Sequence, residues 1–384
     1  MRPRLFVAVV LAVAIVVALV GFVCLDPRPV QAGVDSSASG YKVLDPIRHG
    51  TLTVFPVVAS RSYATNEFLT LDEGLRSGQV VVAEYGNVRG LLRRHVTPAM
   101  QHNSAEVNRL VLINNSKRPL LLLAGEIVTG GKQDRVIGKD RIVPQESDPV
   151  DLSVFCVEPG RWVATSDHFG TSGSTYAPVS NGGIGGGTMM AQPSVRAKAM
   201  GDKDQNQVWA EVRKQQQSIA VELAASPSPR NPEEIRSTSS YARVMENKDV
   251  KEKVDEVAKP IEQNYQSLIK QLRDRKAVGV VVAVNGRIIW CDVFASTELL
   301  EKYWPKLVRS YASEAVVTRA KGGEASHAQA ESFLADMDGH RETIESEPGI
   351  YRHTEINGDG FKVFALTSLL PKTGFDVHVA KMAD

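Results

Sequence analysis

Seven side chains in two short stretches have the chemical types that binding and catalytic sites use. They are Glu126, Lys132, Gln133 and Arg135 in the first stretch, and Glu158, Arg161 and Trp162 in the second. Each stretch follows an apolar run typical of a buried strand, and polar groups at the ends of such strands often converge on a pocket. Carboxylates, guanidinium groups and an indole together would suit a ligand that carries an anionic group and a planar ring.

Three interpretations of these residues stay open from the sequence. In the first, Arg135 and Arg161 bind the anionic group of a ligand, Trp162 stacks on its ring, and the two glutamates orient donors. In the second, Glu126 and Glu158 act as the acid and the base of a hydrolase. In the third, the glutamates form structural ion pairs with Arg135 or Arg161 that hold loops in place.

Several better-known motifs are matched only in part. Residues 125–133 lack the first glycine and the hydroxyl of a phosphate-binding P-loop, and residues 166–174 lack the Gly-x-Ser-x-Gly of a nucleophile elbow. Residues 334–345 resemble a calcium loop, but Leu334 occupies the first ligand position, and a helix that ends near Gly339 explains the pattern more simply. The eight histidines show no spacing typical of zinc ligands. We therefore predict no cofactor and no bound metal.

The first half of the chain has the composition of strands and turns. Short apolar or β-branched runs alternate with Asn, Gly, Pro and Ser; these runs are residues 52–58, 80–84, 110–114, 120–125 and 150–158. Residues 114–119 separate two of the runs and are predicted to form a hairpin loop. A sandwich or a curled sheet of antiparallel strands is the most economical arrangement.

The second half mixes helices with strands. Apolar stripes predict amphipathic helices over residues 204–224 and 248–273, the second one kinked at Pro260. Two β-branched runs flank Asn285 and Gly286, which is the strongest short-range signal of a hairpin with a type I′ turn. The remaining elements are predicted to be a helix around residues 299–307, a helix that a capping box opens at Ser326, and strands at residues 361–369 and 375–380.

These elements predict an α+β protein. Its N-terminal part is antiparallel, β-rich and sandwich-like, and its C-terminal part is α+β and follows a Gly/Ser-rich loop. We expect a β-rich domain at residues 41–168, a flexible loop at 169–202, an α+β part at 203–315, and a C-terminal helix and strands at 316–384.

The N-terminus has the layout of an export signal. Two arginines precede an apolar run at residues 5–25, and small residues at positions 30 and 32 suit cleavage before Gly33. We expect residues 1–32 to be a signal peptide, with an uncleaved membrane anchor as the alternative because the run is long enough to cross a bilayer. Bulky residues before Cys24 disfavour a lipoprotein signal. The protein is therefore expected to be periplasmic or extracellular, and tethered through residues 5–25 if that segment is retained.

Charge and cysteine content limit the partners. Removing residues 1–32 takes away three arginines and one aspartate, so the mature chain carries 42 basic and 43 acidic side chains. This balance gives no electrostatic case for binding nucleic acid, and contact with a membrane is expected only through the N-terminal segment if it is uncleaved. Cys156 and Cys291 could pair in an oxidising compartment, but both lie in apolar runs where buried free thiols are common.

Several motifs together resemble a known bacterial and archaeal family. Residues 119–126 (PLLLLAGE), 130–135 (GGKQDR) and 155–162 (FCVEPGRW) form a first block, and residues 279–286 (GVVVAVNG), 292–294 (DVF) and a helix with Tyr303 and Trp304 form a second. They resemble the ARG and rhodanese-phosphatase-superfamily-associated protein domain over most of residues 45–315. The resemblance implies a domain recognised from gene neighbourhoods, without an assigned reaction.

The sequence therefore favours an extracytoplasmic ligand-binding or interaction module, whose partner is a small molecule or a protein. One alternative is a hydrolase that uses Glu126 and Glu158. Another is a structural assembly module that docks a protein through the amphipathic helices at residues 204–224 and 248–273. The residue types do not decide whether the protein is an enzyme, and they favour binding without catalysis.

Overall fold

The computed structural model describes residues 40–84, 108–170, 189–226, 232–272, 275–318 and 322–384. The expected signal segment at residues 1–32 lies outside these ranges, as do residues 171–188 of the expected flexible loop. In the described ranges, no helix is both long enough and apolar enough to cross a membrane.

The chain forms strands from both halves of the sequence. In chain order they are β1 (Tyr41–Val43), β2 (Ile47–His49), β3 (Leu52–Ala59), β4 (Leu69–Thr70), β5 (Val80–Glu84), β6 (Arg109–Asn114), β7 (Leu120–Leu122), β8 (Glu126–Gly130), β9 (Arg135–Ile137), β10 (Arg141–Val143), β11 (Val150–Cys156), β12 (His168–Gly170), β13 (Met189–Met190), β14 (Lys276–Val284), β15 (Arg287–Phe294), β16 (His340–Glu347), β17 (Tyr351–Gly358), β18 (Phe361–Ser368) and β19 (Asp376–Ala383).

The α-helices, also in chain order, are α1 (Leu71–Arg76), α2 (Pro193–Ala197), α3 (Gln205–Ala224), α4 (Pro232–Ser237), α5 (Tyr241–Glu246), α6 (Lys248–Gln271), α7 (Thr297–Val317) and α8 (His327–Ala335), and a π-helical segment at Lys198–Asp202 continues α2. The α+β class and the β-rich N-terminal part are confirmed.

Six strands of the N-terminal part close into a barrel. The order is β12, β5, β6, β11, β9 and β8, all antiparallel, and β12 pairs with β8 to complete the ring. Side chains of alternating residues point into a closed sheet. The inward set is buried and apolar, and it consists of Val80, Val82, Leu110, Leu112, Val128, Ile137, Leu152, Val154 and Phe169. The barrel interior is therefore a packed core.

A small sheet closes one end of this barrel. Its order is β10, β7 and β4, and its leucines and valines pack into the barrel core together with Leu71 of α1. The predicted hairpin loop at residues 114–119 is therefore wrong, because β6 belongs to the barrel whereas β7 belongs to the small sheet. The Asn114 side chain stabilises this crossing, since its amide donates to the carbonyls of Arg118 and Pro144.

A second, larger sheet joins the two halves of the chain. Its antiparallel order is β1, β3, β14, β15, β19, β18, β17 and β16, with β2 alongside β3. All eight residues of β3 are buried, and β3 pairs along its full length with β14. The predicted hairpin between β14 and β15 is confirmed, because both Asn285 and Gly286 have the positive φ angles of a type I′ turn.

Helices cover both faces of the larger sheet. On one face, α6 and α7 pack through Tyr265 and Trp304, whose ring centroids lie 4.3 Å apart. On the other face lies α8, whose predicted capping box at Ser326 is confirmed. The apolar stripes of the predicted helices at residues 204–224 and 248–273 face this same core, as Val212 and Ile261 show. Pro260 lies inside α6.

Three details differ from the sequence predictions. The end of the expected loop, residues 189–202, forms β13, α2 and the π-helical segment. Residues 340–358, for which no strand was predicted, form the hairpin of β16 and β17, while the helix before them ends at Ala335 as expected for residues 334–345. Cys156 and Cys291 are both buried and free, so the disulfide alternative is wrong.

Candidate functional site

The end of the barrel away from the small sheet collects most of the side chains singled out from the sequence. We call this region the mouth and define it as Glu84, residues 130–135, residues 156–163 and residues 166–169. It lies opposite the small sheet because β5 ends there, β8 turns into β9 there, and β12 begins there. Six of the seven candidate residues belong to it: Lys132, Gln133, Arg135, Glu158, Arg161 and Trp162.

The turn between β8 and β9 is part of the mouth, and the Phe169 ring leaves no room for a side chain at Gly131. Gly131 has a φ of 51°, and a Cβ there would lie 2.3 Å from the Phe169 ring. The Glu84 carboxylate accepts a hydrogen bond of 2.7 Å from the backbone N–H of Lys132. The two glycines of the GGKQDR motif therefore allow this turn to approach the end of β5.

Arg161 fixes the segment that follows β11. Its guanidinium donates to the carbonyls of Gly131 and Val163, both at 2.9 Å, and it pairs with Glu158 at 2.5 Å and with Asp134 at 3.5 Å. Burial alone would lower the pKa of Arg161, but these two carboxylates raise it above its ordinary value. Arg161 and Glu158 thus act as the structural ion pair that the third interpretation describes.

Gln133 and Asp134 complete the connection between the two segments. The Gln133 amide donates to the carbonyl of Glu158, and the Asp134 backbone N–H donates to the Glu158 carboxylate. Burial and the adjacent Glu158 carboxylate raise the pKa of Asp134, while its hydrogen bond from Ser240 opposes that shift. Glu84 was missed by the sequence reasoning, because in the sequence it is one more acid at the end of a strand.

Arg135 forms the floor of the mouth. Its side chain is fully buried, and its guanidinium donates to the Gln133 carbonyl at 2.7 Å. In the sheet it lies opposite Cys156 on β11 and Val128 on β8, so it points into the end of the barrel. Burial lowers the pKa of Arg135, and the nearby carboxylates of Glu84 and Asp134 oppose that shift.

Trp162 and Lys132 form the solvent-facing part of the mouth. The indole is 44% exposed, with the Lys132 ammonium 5.0 Å and the Arg135 guanidinium 6.0 Å from its centroid. Both distances lie within the range of cation–π contacts. The neighbouring Val163 is 72% exposed, which makes this an apolar and cationic surface.

Several buried polar atoms of the mouth have no hydrogen-bond partner among the described residues. They are one carboxylate oxygen of Glu84, the amide oxygen of Gln133, Nε of Arg161 and Nδ1 of His168. A buried polar atom that lacks a partner costs roughly 1–3 kcal/mol. Other buried polar atoms without a partner lie elsewhere in the described residues, so these four mark the mouth only together with the exposed Trp162.

Glu126 does not join the mouth. It aligns near Ile137 at one end of β9, whereas Glu158 aligns near Gln133 at the other. Four residues of strand separate the two positions, which is roughly 13 Å. Glu126 is fully buried, accepts from the Leu123 N–H, and pairs with Lys306 of α7 at 2.5 Å. Burial raises its pKa, although the Lys306 ammonium opposes that shift.

A second polar cluster, absent from the sequence predictions, joins the barrel to the larger sheet. Asp292 of β15 receives two hydrogen bonds from Arg196 of α2, at 2.9 and 3.0 Å, and a third from the Tyr311 hydroxyl. His378 of β19 lies between Asp292, at 3.2 Å, and Asp140, at 2.5 Å. We call these five residues the buried network.

The buried network is sealed from solvent. All four of its charged side chains are at most 1% exposed, and the Arg196 guanidinium lies 4.4 Å from the Trp290 ring centroid. One signal could have found it: Asp292 and His378 interrupt apolar strand runs, where an ionisable group requires a partner. The network does not form a metal site, and in the described part of the chain no group of three His, Cys, Asp or Glu side chains could hold an ion.

An open groove of about 620 Å³ begins at Glu246, the last residue of α5, and runs along α6 past Lys251 and Asp255. It shares no residue with the mouth, and its alternating acids and bases are typical of a solvated helix face. We assign it no role.

A family model described as the ARG and Rhodanese-Phosphatase-superfamily-associated Protein domain matches residues 40–381 of this chain. The match extends beyond the resemblance at residues 45–315 and includes nearly all of the C-terminal segment. No curated protein and no solved structure is similar enough to the chain to count as a match.

Proposed function

The chain belongs to the ARG and rhodanese-phosphatase-superfamily-associated protein domain family, and from that premise we propose that it is a binding module that works outside the cytoplasm. Its ligand site is the mouth of the barrel. The observation that carries the proposal is the half-exposed indole of Trp162, which lies beside Lys132 and Arg135 on a segment that Arg161 holds through hydrogen bonds and an ion pair.

The indole is exposed although burying it would be favourable. A tryptophan side chain gains several kcal/mol when it leaves water, since it buries 150–250 Å² at about 25 cal/mol per Å². Here the segment that bears it is fixed by Arg161 and Glu158, so the ring is presented in one place. Rigid aromatic groups beside cations are typical of the energetic centres of binding surfaces.

The side chains indicate the chemistry of the ligand. Lys132 favours an anionic group, and Trp162 favours a planar or apolar one. One side-chain oxygen each of Glu84 and Gln133 has no hydrogen-bond partner among the described residues. These oxygens favour N–H or O–H donors on the same ligand. A small molecule or peptide with an acidic group, a planar group and hydrogen-bond donors meets all three requirements.

The hydrolase alternative receives little support from this geometry. Glu126 and Glu158 lie at opposite ends of the barrel wall, roughly 13 Å apart by strand register. Paired catalytic carboxylates stand no more than about 9.5 Å apart in typical glycosidases. The raised pKa of Glu126 follows from its complete burial beside Lys306, which gives it no contact with a substrate.

The assembly alternative also loses its stated basis. The helices at residues 204–224 and 248–273 turn their apolar stripes, including Val212, toward the core of the chain itself. Partner docking through those stripes would require the helices to leave that core.

The ligand site is tested by a thermal-shift screen with nucleotides, ADP-ribose, sugars and peptidoglycan fragments as probes. A probe at a hundredfold its dissociation constant is expected to stabilise the protein by about 2.7 kcal/mol. Trp162→Ala and Lys132→Ala should each remove that gain and leave the unliganded melting temperature unchanged. Val221→Ala is the matched control, because Val221 is an exposed apolar side chain outside the mouth, on α3. This variant should keep the stabilisation by the probe.

The location is tested separately by fusing residues 1–40 to a reporter enzyme that is active only outside the cytoplasm. Reporter activity is expected. Its absence would contradict the proposed location, and an absence of any response in the thermal-shift screen would contradict the proposed ligand site.

A further inference from the structure

Two exposed tyrosines and a partly buried phenylalanine lie at one end of the larger sheet. Tyr41 begins β1 and is 44% exposed, while Tyr63 is 47% exposed and stacks on Phe375 with ring centroids 4.2 Å apart. The Tyr63 N–H donates a hydrogen bond to the carbonyl of Ala295, just beyond β15. This bond holds Tyr63 at this end of the sheet. We call Tyr41, Tyr63 and Phe375 the aromatic patch.

Four exposed basic residues lie near members of the aromatic patch in strand register or in sequence. Tyr41 and Lys276 are aligned with Ala59 from the two sides of β3, and side chains aligned in this way share a face of the sheet. Lys42, Arg61 and Lys372 lie within three residues of a member of the patch, and all four bases are exposed. Asp376 directly follows Phe375, and its carboxylate accepts a hydrogen bond from Thr367 at 2.6 Å.

We propose that the aromatic patch and the four basic residues near it form a surface that rests on an anionic lipid bilayer. Tyrosines that are half in contact with protein and half exposed suit the boundary between lipid and water. Lysine and arginine side chains near an anionic leaflet add electrostatic attraction. The near-zero net charge of the whole chain does not oppose this, because the attraction depends on the local charges.

The course of the chain supports this choice of partner. The apolar run of the N-terminus ends at Leu25, and the patch begins at Tyr41, with only fifteen residues between them. Such a length reaches at most roughly 50 Å even when fully extended. A retained N-terminal segment would therefore hold the patch close to the membrane, which raises the effective concentration of lipid around it.

The inference is tested by oxidative footprinting of the full chain in phosphatidylcholine vesicles prepared with and without phosphatidylglycerol. We expect oxidation of Tyr41 and Tyr63 to fall several-fold in the anionic vesicles. Oxidation of Trp162 should not change, which separates this surface from the mouth. A variant with Lys42→Glu, Arg61→Glu and Lys372→Glu should remain oxidised in both kinds of vesicle.

Two outcomes would overturn the inference. One is equal oxidation of the tyrosines in both kinds of vesicle. The other is protection in cell envelopes but not in protein-free vesicles, which would identify a protein as the partner. Both outcomes are independent of the thermal-shift screen, because that screen reports on the mouth.

Discussion

His378 lies between the carboxylates of Asp140 and Asp292, and this position determines its charge. Burial alone would lower its pKa, but the two aspartates outweigh burial and raise the pKa from 6.5 to about 9. The Arg196 guanidinium and the imidazolium in turn hold the pKa of Asp292 well below its usual range. The network therefore contains two positive and two negative groups at neutral pH, which is a balanced arrangement for a dry interior.

We expect the stability of the protein to decrease as the pH rises from 6.5 to 9. A group whose pKa is raised by folding stabilises the folded state fully below its unfolded pKa, and that contribution disappears as the pH rises through the folded pKa. A rise from 6.5 to about 9 corresponds to about 3 kcal/mol of unfolding free energy. Urea unfolding measured across this range, together with the NMR titration of the imidazole, checks the prediction.

The control for this prediction is His378→Gln, whose unfolding free energy should lack the decrease between pH 6.5 and 9 that His378 causes. Lys381 contributes a slope of the opposite sign, since burial lowers its pKa to about 8 and the resulting penalty is relieved as the pH rises. That slope is present in both proteins and cancels in the comparison. Titration of His378 near pH 6.5 would contradict the proposed role of the two aspartates.

Lys306 is expected to be a strong stabilising residue at the interface of α7 with the barrel. Its ammonium lies 2.5 Å from Glu126 and 2.7 Å from Asp72. Lys306→Met removes the cation from the buried Glu126, and a broken buried pair of this kind costs about 3–5 kcal/mol. The double variant Lys306→Met, Glu126→Gln should recover part of that loss in urea unfolding.

Lys302 provides a matched control one helical turn away. It pairs with Glu73 at 3.3 Å and with Glu298 at 3.6 Å, but these groups are partly exposed. Lys302→Met is therefore expected to cost less than about 1 kcal/mol. Equal losses for the two variants would show that Lys306 acts only as a surface charge.

At the scale of elements, the turn between β14 and β15 depends on the absence of a side chain at Gly286. The residue has a φ of 76°, and a Cβ there would lie 2.7 Å from the carbonyl carbon of Gly323. We expect Gly286→Ala to destabilise the protein through both the backbone conformation and the clash. Thermal unfolding measures the effect.

Gly78→Ala isolates the backbone part of that cost. Gly78 has a φ of 68°, and open space surrounds the position of its Cβ. Left-handed backbone costs an alanine roughly 1–2 kcal/mol, so Gly78→Ala should lose about that amount and Gly286→Ala clearly more. If Gly286→Ala lost no more stability than Gly78→Ala, the segment around Gly323 would be shown to move aside at little cost.

Local patterns predicted most elements because they act over a few residues. The Asn285-Gly286 pair, the capping box at Ser326 and the stripe along α6 each specify an element through its own geometry. The hairpin of β16 and β17 escaped prediction because its first strand, at residues 340–347, is polar and charged. Such a composition is common in strands at the edge of a sheet, and β16 is the edge here.

Pairing between distant elements could not be predicted in the same way. The strand register places Arg135 near Glu158 at the mouth and Glu126 at the opposite end of the barrel. The buried network brings together residues separated by as many as 238 positions. Six of the seven candidate residues lie together at the mouth because two short connecting segments carry them. Glu126 lies apart because strand register is a property of the whole sheet.

At the scale of the whole molecule, the two halves of the sequence are built into each other. β3 from the first half is an interior strand between β1 and β14, and the buried network joins Asp140 of the first half to His378 of the second. One hydrophobic core includes residues from Leu52 to Met382. The described residues therefore depend on one another for burial along most of the chain.

We expect a fragment of residues 41–170 not to fold alone, because it would expose β3, whose eight residues are buried against the second half. Circular dichroism and gel filtration of the fragment check this. Co-expression with residues 189–384 should restore a compact species. A fragment that folds alone would instead support a separate β-rich domain at residues 41–168.

The closure of the barrel is short, and this has a kinetic consequence. β12 pairs with β8 through Phe169–Gly130 and Gly170–Thr129 and with β5 through two further residue pairs, whereas β5 and β6 pair through five. Opening a seam of this length breaks few backbone hydrogen bonds, so its amide hydrogens should exchange with solvent deuterium far sooner than those of β5 and β6. The mouth would then be able to widen around an entering molecule while the rest of the ring stays intact.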